Sequence, residues 1–364
     1  MDVHNVATHI IDIAALLCLA WLLSSSTAVQ SRRKTPLLIG ILLTVVIIVA
    51  EVGTIVAAQA GAEFRFLNQA CNLIGFSLTP LVPLAVSFMF DSGVLRRYNL
   101  LIVPTLLNGV ATGLSPVTGS VFYIDAANHY SRGSHFYMFV AVYCLNLLVL
   151  AVTTLEAGKR FSYRLGTRIA VLLLFACIGT SLQVLYPFAY ASWHCVTLAL
   201  FLYFLLVSEF DSSFDSLTGL YNRAAFDKAA HSMGEADGFS IIVLDIDDFK
   251  QVNDTHGHAH GDAVIRTVAE VVRNEFGRDC TCYRCGGDEF YIIGRETDPY
   301  RVEEHLASMV RALAAAREEE SSLPTVSYGY SISQKGEPSH FQEMLQDADD
   351  QMYRFKKAHK GGGD

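Results

Sequence analysis

Two patterns of hydrophobic positions follow one another along the chain. Before about residue 210, apolar residues form long runs, several of them long enough to cross a hydrocarbon layer of ~30 Å. After that point they occur in short stretches and at helical spacing, as in a domain of alternating strands and helices. The pattern predicts a multi-domain fold, with an all-α transmembrane bundle over residues 1–209 and an α/β domain over residues 210–364.

We place seven membrane-spanning helices in the first half. Their approximate bounds are Ile10–Ala28, Pro36–Ala58, Leu67–Phe90, Tyr98–Leu114, Phe136–Leu155, Ile169–Tyr190 and Ser192–Val207. The connections after the first, third and fifth helices carry nine Lys and Arg residues, whereas the other three carry two. Because basic connections stay in the cytoplasm, we expect a multi-pass protein of the inner (cytoplasmic) membrane. Its N-terminus would lie outside and residues 210–364 in the cytoplasm.

The residue pattern of the second half predicts the order of strands and helices found in a ferredoxin-like domain. The predicted strands are Phe239–Leu244, Cys280–Arg284, Glu289–Ile293 and Thr325–Ser333. The predicted helices are Asn222–Met233, Gly261–Phe276, Tyr300–Ala315 and Phe341–Lys357. Gly286 and Gly287 favour a tight hairpin between the second and third strands. The resulting order is β-α-β-β-α-β, with one further helix before it and one after it.

The charge and cysteine content exclude several classes of protein. Charged residues make up 17% of the chain, against about 25% in a soluble protein, which excludes a single soluble domain. The net charge of −9 divides into +3 over residues 1–209 and −12 over residues 210–364, so the soluble half would repel nucleic acid. The eight cysteines do not form a disulfide framework. Cys280, Cys282 and Cys285 are interpreted as buried strand thiols, with a metal or redox role as the alternative.

Polar residues inside the predicted spans could either line a ligand pocket or form hydrogen bonds between helices. Each of them costs free energy in hydrocarbon unless it faces a partner or water; they are Asp12, Glu51, Asn72, Asn108, Gln183 and His194. For Glu51, a ligand pocket and interhelical hydrogen bonding remain equally open, and for the others we favour hydrogen bonding. The sensory ligand, if there is one, is not identified by these residues.

Acidic residues are concentrated at two strand ends of the second half. Asp245, Asp247 and Asp248 follow the first strand, and Asp288 and Glu289 follow the glycine pair. Carboxylates suit a hard divalent cation, and Mg²⁺ at a phosphate site usually takes one or two of them. The main-chain N–H groups from Asp247 to Lys250, including that of Phe249, lead into a helical turn and would bind phosphate. Together the two junctions predict a metal and nucleotide site.

Five ordered motifs over residues 211–361 resemble the bacterial diguanylate cyclase (GGDEF domain) family. The signature is Gly286-Gly287-Asp288-Glu289-Phe290. The other motifs are Asp215 to Arg223, which matches D-x-L-T-G-L-x-N-R; Asp245 to Lys250 with Asn253-Asp254; Gly257 to Asp262; and Ala348 to Tyr353 with Lys356 and Lys360. The first half is similar only in general plan to seven-helix bacterial sensor modules.

The resemblance implies a nucleotide-cyclase palm domain and a role for each matched residue. It implies a Mg²⁺ (or Mn²⁺) site at Asp245, the Ile246 carbonyl and Asp288. Asp288 is the candidate base for the GTP 3′-hydroxyl, with a metal-activated hydroxyl as the alternative, and Glu289 would support the metal. Asn253 and Asp262 match the guanine-binding pair, and Lys356 and Lys360 match phosphate-binding positions.

The implied activity is condensation of two GTP molecules into cyclic di-GMP by a homodimer. The alternative is a catalytically idle module that binds GTP or cyclic di-GMP as a receptor. The family's Arg-x-x-Asp product-inhibition motif would begin at Gly277 and end at Cys280, so we expect no inhibitory product site of that kind. Ala224 and His359 also depart from the family pattern.

The connection between the halves is short. The seventh predicted span ends near Val207 and the first cyclase motif begins at Asp215. We therefore expect the membrane helix to act directly on the second domain, with activity depending on its helical phase.

Overall fold

The computed structural model describes residues 3–90, 99–160, 166–186, 192–232, 238–277, 279–319, 322–333 and 340–361. The chain divides into two compact units, Met1–Asp211 and Ser212–Asp364. The boundary lies two residues after the one expected from the sequence.

The first unit is mainly helical. Its helices are α1 (Val3–Ser25), α2 (Ser31–Ala60), α3 (Arg65–Leu78), α4 (Leu81–Ser87), α5 (Asn99–Thr118), α6 (Phe136–Arg160), α7 (Gly166–Leu185) and α8 (Ser192–Ser212). Within the described residues, five helical segments are long and apolar enough to cross a membrane: Val6–Ser25, Ser31–Ala60, Ala62–Ser87, Phe136–Lys159 and Ser192–Ser212. The fourth and sixth predicted spans, which correspond to α5 and α7, are not among these five. The count of seven spans therefore stays a prediction.

The third predicted span is not one continuous helix. It divides into α3 and α4 at Thr79 and Pro80, because proline has no N–H to donate and its ring disturbs the preceding turn. The Thr79 hydroxyl donates to the Gly75 carbonyl over 2.7 Å. The Asn146 side chain on α6 donates to the Pro80 carbonyl over 2.7 Å. The interruption is thus hydrogen-bonded within the protein.

Several polar residues of the predicted spans do pair with one another or with the backbone. The Asn108 amide donates to the Phe76 carbonyl over 3.2 Å, and His194 Nδ1 lies 2.6 Å from Asp12 Oδ2. Asn72 donates to the Asn68 side chain over 2.8 Å, within α3. The interhelical hydrogen-bonding interpretation is confirmed for Asn108. Asn72 bonds within its own helix, and Asp12 and His194 form a close contact between α1 and α8. The Gln183 side chain lies outside the described residues.

A small hairpin forms part of the connection between α5 and α6. Strands β1 (Phe122–Ile124) and β2 (Tyr130–Arg132) pair antiparallel. At their turn, Asn128 has φ 71° and is fully buried. Its amide donates to the Ala57 and Gly61 carbonyls over 2.7 and 2.8 Å, and its oxygen accepts from Asn68 over 2.9 Å. The hairpin is therefore fixed to the end of α2 and the start of α3.

An ion pair holds the last turn of α8 within the first unit. Arg33 at the start of α2 pairs with Asp211, and both side chains are buried. The Gln30 N–H also donates to Asp211 over 2.9 Å. The Arg33 guanidinium carbon lies 4.8 and 4.9 Å from the ring centres of Phe90 and Phe210. Because separating a buried pair leaves an uncompensated charge, this contact, here called the Arg33–Asp211 pair, resists displacement of the helix end.

The second unit is an α/β domain. It contains β3 (Tyr221–Asn222), α9 (Arg223–Ser232), β4 (Phe239–Ile246), α10 (Phe249–His256), α11 (His258–Phe276), β5 (Cys280–Arg284), β6 (Glu289–Gly294), α12 (Pro299–Glu319), β7 (Val326–Ser333) and α13 (Phe341–Gly361). The sheet order is β3-β5-β6-β4-β7, antiparallel except for the parallel pair β3 and β5. The predicted ferredoxin-like order is confirmed for β4 to β7. The edge strand β3 is additional, because Asn222 belongs to it and not to the following helix.

The centre of this sheet is covered by helices on both faces. All eight residues of β4 are buried, as expected for a central strand. Ile242, Leu244 and Ile246 pack on one side in the core shared with α11 and α12. Ile241 and Val243 pack on the other side with residues of α9 and α13. The polar end of β4 is therefore held on a rigid central strand.

Candidate active site

The two acidic junctions meet at one end of the sheet. β4 and β6 are neighbours, and their register places Asp245 directly opposite Glu289. One step further, the Ile246 N–H donates to the Asp288 carbonyl over 3.2 Å. The sequence separates these residues by more than 40 positions, and the antiparallel pairing brings them together.

Asp245 is the buried carboxylate of this site. Only 8% of the residue is exposed, and its side chain pairs with the Lys356 ammonium from α13. Burial raises the pKa of the Asp245 carboxyl; Lys356 opposes this effect, and Asp288 and Asp247 add to it. A positive charge at this position is therefore stabilising, whether it comes from a lysine or from a metal ion.

Asp247 has a structural role that the sequence did not reveal. Its two carboxylate oxygens accept hydrogen bonds from the Thr325 and Ser327 hydroxyls, each over 2.6 Å. Its N–H donates to the Thr325 carbonyl over 2.9 Å. Both its side chain and its amide are thus engaged with β7 and the residue before it, and the Asp247 N–H is bonded to the protein in this structure rather than open to a phosphate.

The predicted phosphate-binding turn begins one residue later. Asp248 is exposed and has φ 51°, a left-handed conformation that aspartate tolerates better than most residues. α10 then starts at Phe249, so the N–H groups of Phe249 and Lys250 have no acceptor within the helix. These two amides are the ones that the fold offers to an anion.

The predicted guanine-binding residues lie around Gly261. Asn253 is on α10 and Asp262 is on α11, and Gly257, with φ 82°, joins the two helices. A Cβ atom at position 261 would lie 2.0 Å from Asn253 Oδ1 and 3.2 Å from Phe249 Cζ. Only glycine leaves room for this close approach, which places Asn253 and Phe249 beside the residue that precedes Asp262.

Arg284 connects the hairpin to the first motif and was missed in the sequence. Its guanidinium lies 2.9 Å from Asp215 Oδ1 and donates to the Gly287 carbonyl over 2.9 Å. Asp215 also accepts from the Thr218 N–H and hydroxyl over 2.9 and 2.7 Å. Burial alone would raise the pKa of Asp215, but the bonds from Thr218 and Arg284 outweigh it and lower that pKa from its ordinary value. The sequence feature that could have indicated this role is an arginine two residues before the glycine pair.

Glu289 and the lysines complete the set of predicted residues. A Cβ atom at Gly286 would lie 3.1 Å from Glu289 Oε2, so the carboxylate folds back over the turn. Lys356 lies in the site through its contact with Asp245. The Lys360 side chain lies outside the described residues.

The oxygen atoms at this end of the sheet fit a hard divalent cation. Among the described residues, no three His, Cys, Asp or Glu side chains converge on one point. The predicted set needs only two carboxylates, Asp245 and Asp288, and the Ile246 carbonyl, which agrees with the ligand number usual for Mg²⁺ at phosphate sites. Cys280, Cys282 and Cys285 are free thiols of β5 and the residue after it, and Cys282 is buried.

Comparisons with known proteins place the second unit among GGDEF domains. The family model "Diguanylate cyclase, GGDEF domain" matches residues 212–362. The diguanylate cyclase VdcA of Vibrio cholerae is 34% identical over 152 residues, which cover 40% of this chain and 44% of VdcA. The diguanylate cyclase DosC of Escherichia coli is 31% identical over 161 residues, which cover 42% of this chain and 34% of DosC. The chain therefore spans less than half the length of these relatives.

Among solved structures, the chain is similar to the GGDEF domain of DgcB from Caulobacter crescentus in complex with c-di-GMP. The identity is 30%, over 41% of this chain and 89% of that one, with a TM-score of 0.36.

Proposed function

We propose that this chain, whose residues 212–362 belong to the GGDEF family, is a membrane-anchored diguanylate cyclase. It would condense two GTP molecules into one cyclic di-GMP and two pyrophosphates. The observation that carries the proposal is the β4–β6 register, which sets Asp245 opposite Glu289 and beside Asp288. This register supports a site built from acidic residues at the end of a central strand.

The reaction needs two phosphoryl transfers. In each one, the 3′-oxygen of one GTP bonds to the α-phosphorus of the other, and the bond from that phosphorus to the bridging oxygen breaks. Pyrophosphate leaves, and the 3′-hydroxyl proton passes to a base, for which Asp288 is the candidate. Asp245, Asp288 and the Ile246 carbonyl would hold Mg²⁺ or Mn²⁺, and the ion would supply charge neutralisation at the phosphates and lower the pKa of the hydroxyl.

The remaining residues would bind and orient the nucleotide. The N–H groups of Phe249 and Lys250 would bind phosphate at the start of α10. Lys356, and Lys360 by its position in the sequence, would add positive charge. Asp262 can accept from guanine N1–H and N2–H₂ at once, whereas adenine offers a lone pair at N1, so the carboxylate would select GTP over ATP. Asn253 would contact the same base.

One domain would hold one GTP, so two domains must face each other for reaction. A two-fold homodimer meets this requirement, because it presents identical sites to each other. The first unit would anchor this dimer in the inner membrane, with seven crossings, the N-terminus outside and the cyclase domain in the cytoplasm. It would also receive the signal that controls synthesis.

The direct test is product analysis. The purified full chain in lipid nanodiscs, and residues 212–364 fused to a dimeric coiled coil, are each given GTP and Mg²⁺. We expect cyclic di-GMP and pyrophosphate in a ratio of one to two. Asp288→Asn should lower turnover at least ~100-fold, the scale of a lost general base. The control Asp347→Asn changes an exposed aspartate of α13 and should retain activity.

The same experiment separates the enzyme from a binding module. GTP binding without cyclic di-GMP from either preparation would overturn the proposal in favour of a receptor. Turnover that survives Asp288→Asn would remove the assigned site while leaving the activity.

A further inference from the structure

The first unit contains a cavity that the proposed cyclase chemistry does not use. Its volume is about 730 Å³, within the range of ~300–1,000 Å³ typical of small-molecule sites. Residues of α2, α3, α6 and α8 line it, and the β1–β2 hairpin covers one side. It is large enough for an organic ligand.

The hairpin that covers this cavity is firmly fixed. Asn128 donates to two carbonyls at the end of α2 and accepts from Asn68. Arg65 donates to the Ile124 carbonyl over 3.2 and 3.0 Å through two nitrogens. The cavity is therefore preorganised, which reduces the entropic cost of binding.

Glu51, on the helical side of the cavity, has partners within the chain. Its carboxyl group interacts with the Trp193 indole of α8 and with the His9 imidazole of α1. His9 is fully buried and Trp193 is only 7% exposed, so both partners are held in place by the surrounding helices. A charged ligand would have to compete with these internal interactions.

The basic side chains on the covering hairpin have partners as well. The Arg132 guanidinium interacts with the Tyr130 hydroxyl and lies 4.6 Å from the centre of the Phe136 ring. His129 Nδ1 lies 3.4 Å from Asp125 Oδ2. A ligand of either charge would lose its hydration and would have to displace one of these partners to gain a counter-ion. The electrostatics of the cavity therefore favour a ligand without net charge.

Aromatic rings form one wall of the same space. The Phe76 ring meets those of Phe139 and Phe136 edge to face, with ring centres 4.9 and 6.1 Å apart, and stacks with Tyr130 at 6.4 Å. Offset and edge-to-face contacts extend to a further ring at a gain in free energy. The Asn72 side chain also lines the cavity, and its amide oxygen can accept a hydrogen bond from a ligand. The lining thus suits a flat apolar body that carries a polar group.

We propose that this cavity binds a neutral small molecule with an aromatic body and a hydrogen-bonding group, the body along the ring wall and the polar group towards Asn72. The proposal rests on the proposed function in one respect, because it names a ligand class for the signal that the first unit would receive. Its test uses no GTP, so its failure is distinguishable from failure of the cyclase assignment.

The chain provides its own reporter of binding. It has two tryptophans, Trp193 in the cavity and Trp21 on α1, which is 67% exposed. In the Trp21→Phe full chain in nanodiscs, Trp193 alone can transfer excitation to a bound dansyl group. Titration with the neutral probe dansylamide should give a saturable rise in dansyl emission, above the linear rise in protein-free nanodiscs. The anion dansylglycine and the cation dansylcadaverine should bind at least ~10-fold more weakly.

Gly75 of α3 allows the cavity to be filled without a change of charge. It lines the cavity, and no heavy atom outside its own stretch of helix lies within 4 Å of the place that a Cβ atom would take. Gly75→Leu should therefore weaken dansylamide at least ~10-fold. Gly113→Leu is the matched control. Gly113 has the same open space on α5, is exposed and is not among the described residues of the lining, so the affinity should stay unchanged.

Equal affinity of dansylamide and either charged analogue would overturn the proposal. This comparison uses no cavity variant and so does not depend on the folding of Gly75→Leu. An emission rise no greater than that of protein-free nanodiscs up to ~100 μM dansylamide, an affinity limit of about −5.5 kcal/mol, would overturn it too. So would equal affinities in Gly75→Leu and Gly113→Leu.

Discussion

At the scale of single residues, Gly261 controls the shape of the candidate guanine site. The side-chain oxygen of Asn253 occupies the space that a Cβ atom at position 261 would need, 2.0 Å from that atom. Phe249 lies on the other side of the same space, 3.2 Å away. An added methyl group must therefore displace Asn253, because the backbone of α11 cannot move without disturbing the core.

We predict that Gly261→Ala raises the KM for GTP about tenfold with the domain still folded, a loss of ~1.4 kcal/mol in binding. The measurement is steady-state kinetics on the full chain, with circular dichroism as the folding check. A double-mutant cycle with Asn253→Ala identifies the cause. If Gly261→Ala acts by displacing Asn253, the two effects will not add. Full additivity would show that the glycine matters for another reason.

At the scale of elements, the contact between β4 and β7 depends on a carboxylate beyond the metal site. The hydroxyls of Thr325 and Ser327 donate to the two oxygens of Asp247, which is 6% exposed. These bonds close the end of the β4–β7 ladder beside the candidate active site. Asp248, the next residue in the chain, is exposed.

We predict that Asp247→Asn lowers the free energy of unfolding of the second unit by ~1–3 kcal/mol, because an amide replaces one charged acceptor oxygen with a donor. Asp248→Asn is the matched control and should change it by less than ~0.5 kcal/mol, since asparagine also tolerates the left-handed conformation. Denaturant unfolding followed by a probe in the second unit measures both. Equal effects of the two substitutions would contradict the structural role of Asp247.

Sequence patterns predicted the elements whose signals are local. The bounds of β5 and β6 were nearly correct, because alternating residues flank a glycine pair. Strand β3 was missed because a strand of two residues is too short to show alternating apolar positions. The full length of α10 was missed because this helix is short and mostly polar. The α3–α4 interruption was missed although Pro80 marks it.

For the site, Asp245, Asp288 and Glu289 were predicted together from motif spacing. The role of Asp247 was not, because its partners lie 78 and 80 residues away.

At the scale of the whole molecule, the two units follow one another along the chain without a long linker. Asp211 is held in the first unit by Arg33. The carbonyl of the next residue, Ser212, accepts from the Asn222 side chain of the second unit over 2.7 Å. α8 continues to Ser212. That rotation at the end of this helix acts on the second unit directly remains the hypothesis, and it can be tested.

We predict that alanines inserted between Asp211 and Ser212 change cyclase activity with helical phase. Each alanine adds ~100° and ~1.5 Å. One or two should reduce activity sharply, and seven should largely restore it, with ~20° of residual rotation. Cyclic di-GMP formation by the full chain is the readout.

Seven glycines at the same place are the control, because glycine does not sustain a helix, and they should not restore activity. A flat profile over one to seven alanines would indicate a flexible tether that only raises local concentration.

The Arg33–Asp211 pair also defines where this protein can be recombined with others. A chimera that keeps residues 1–211 retains the complete pair, and one that takes residues from 212 onward retains the Ser212 carbonyl for Asn222. A crossover placed even a few residues earlier gives the foreign helix no partner for Arg33, which then remains as a buried unpaired charge. Exchange of sensory regions among related proteins is therefore expected to preserve this contact only where the crossover follows Asp211, or where the incoming domain brings an aspartate at this position.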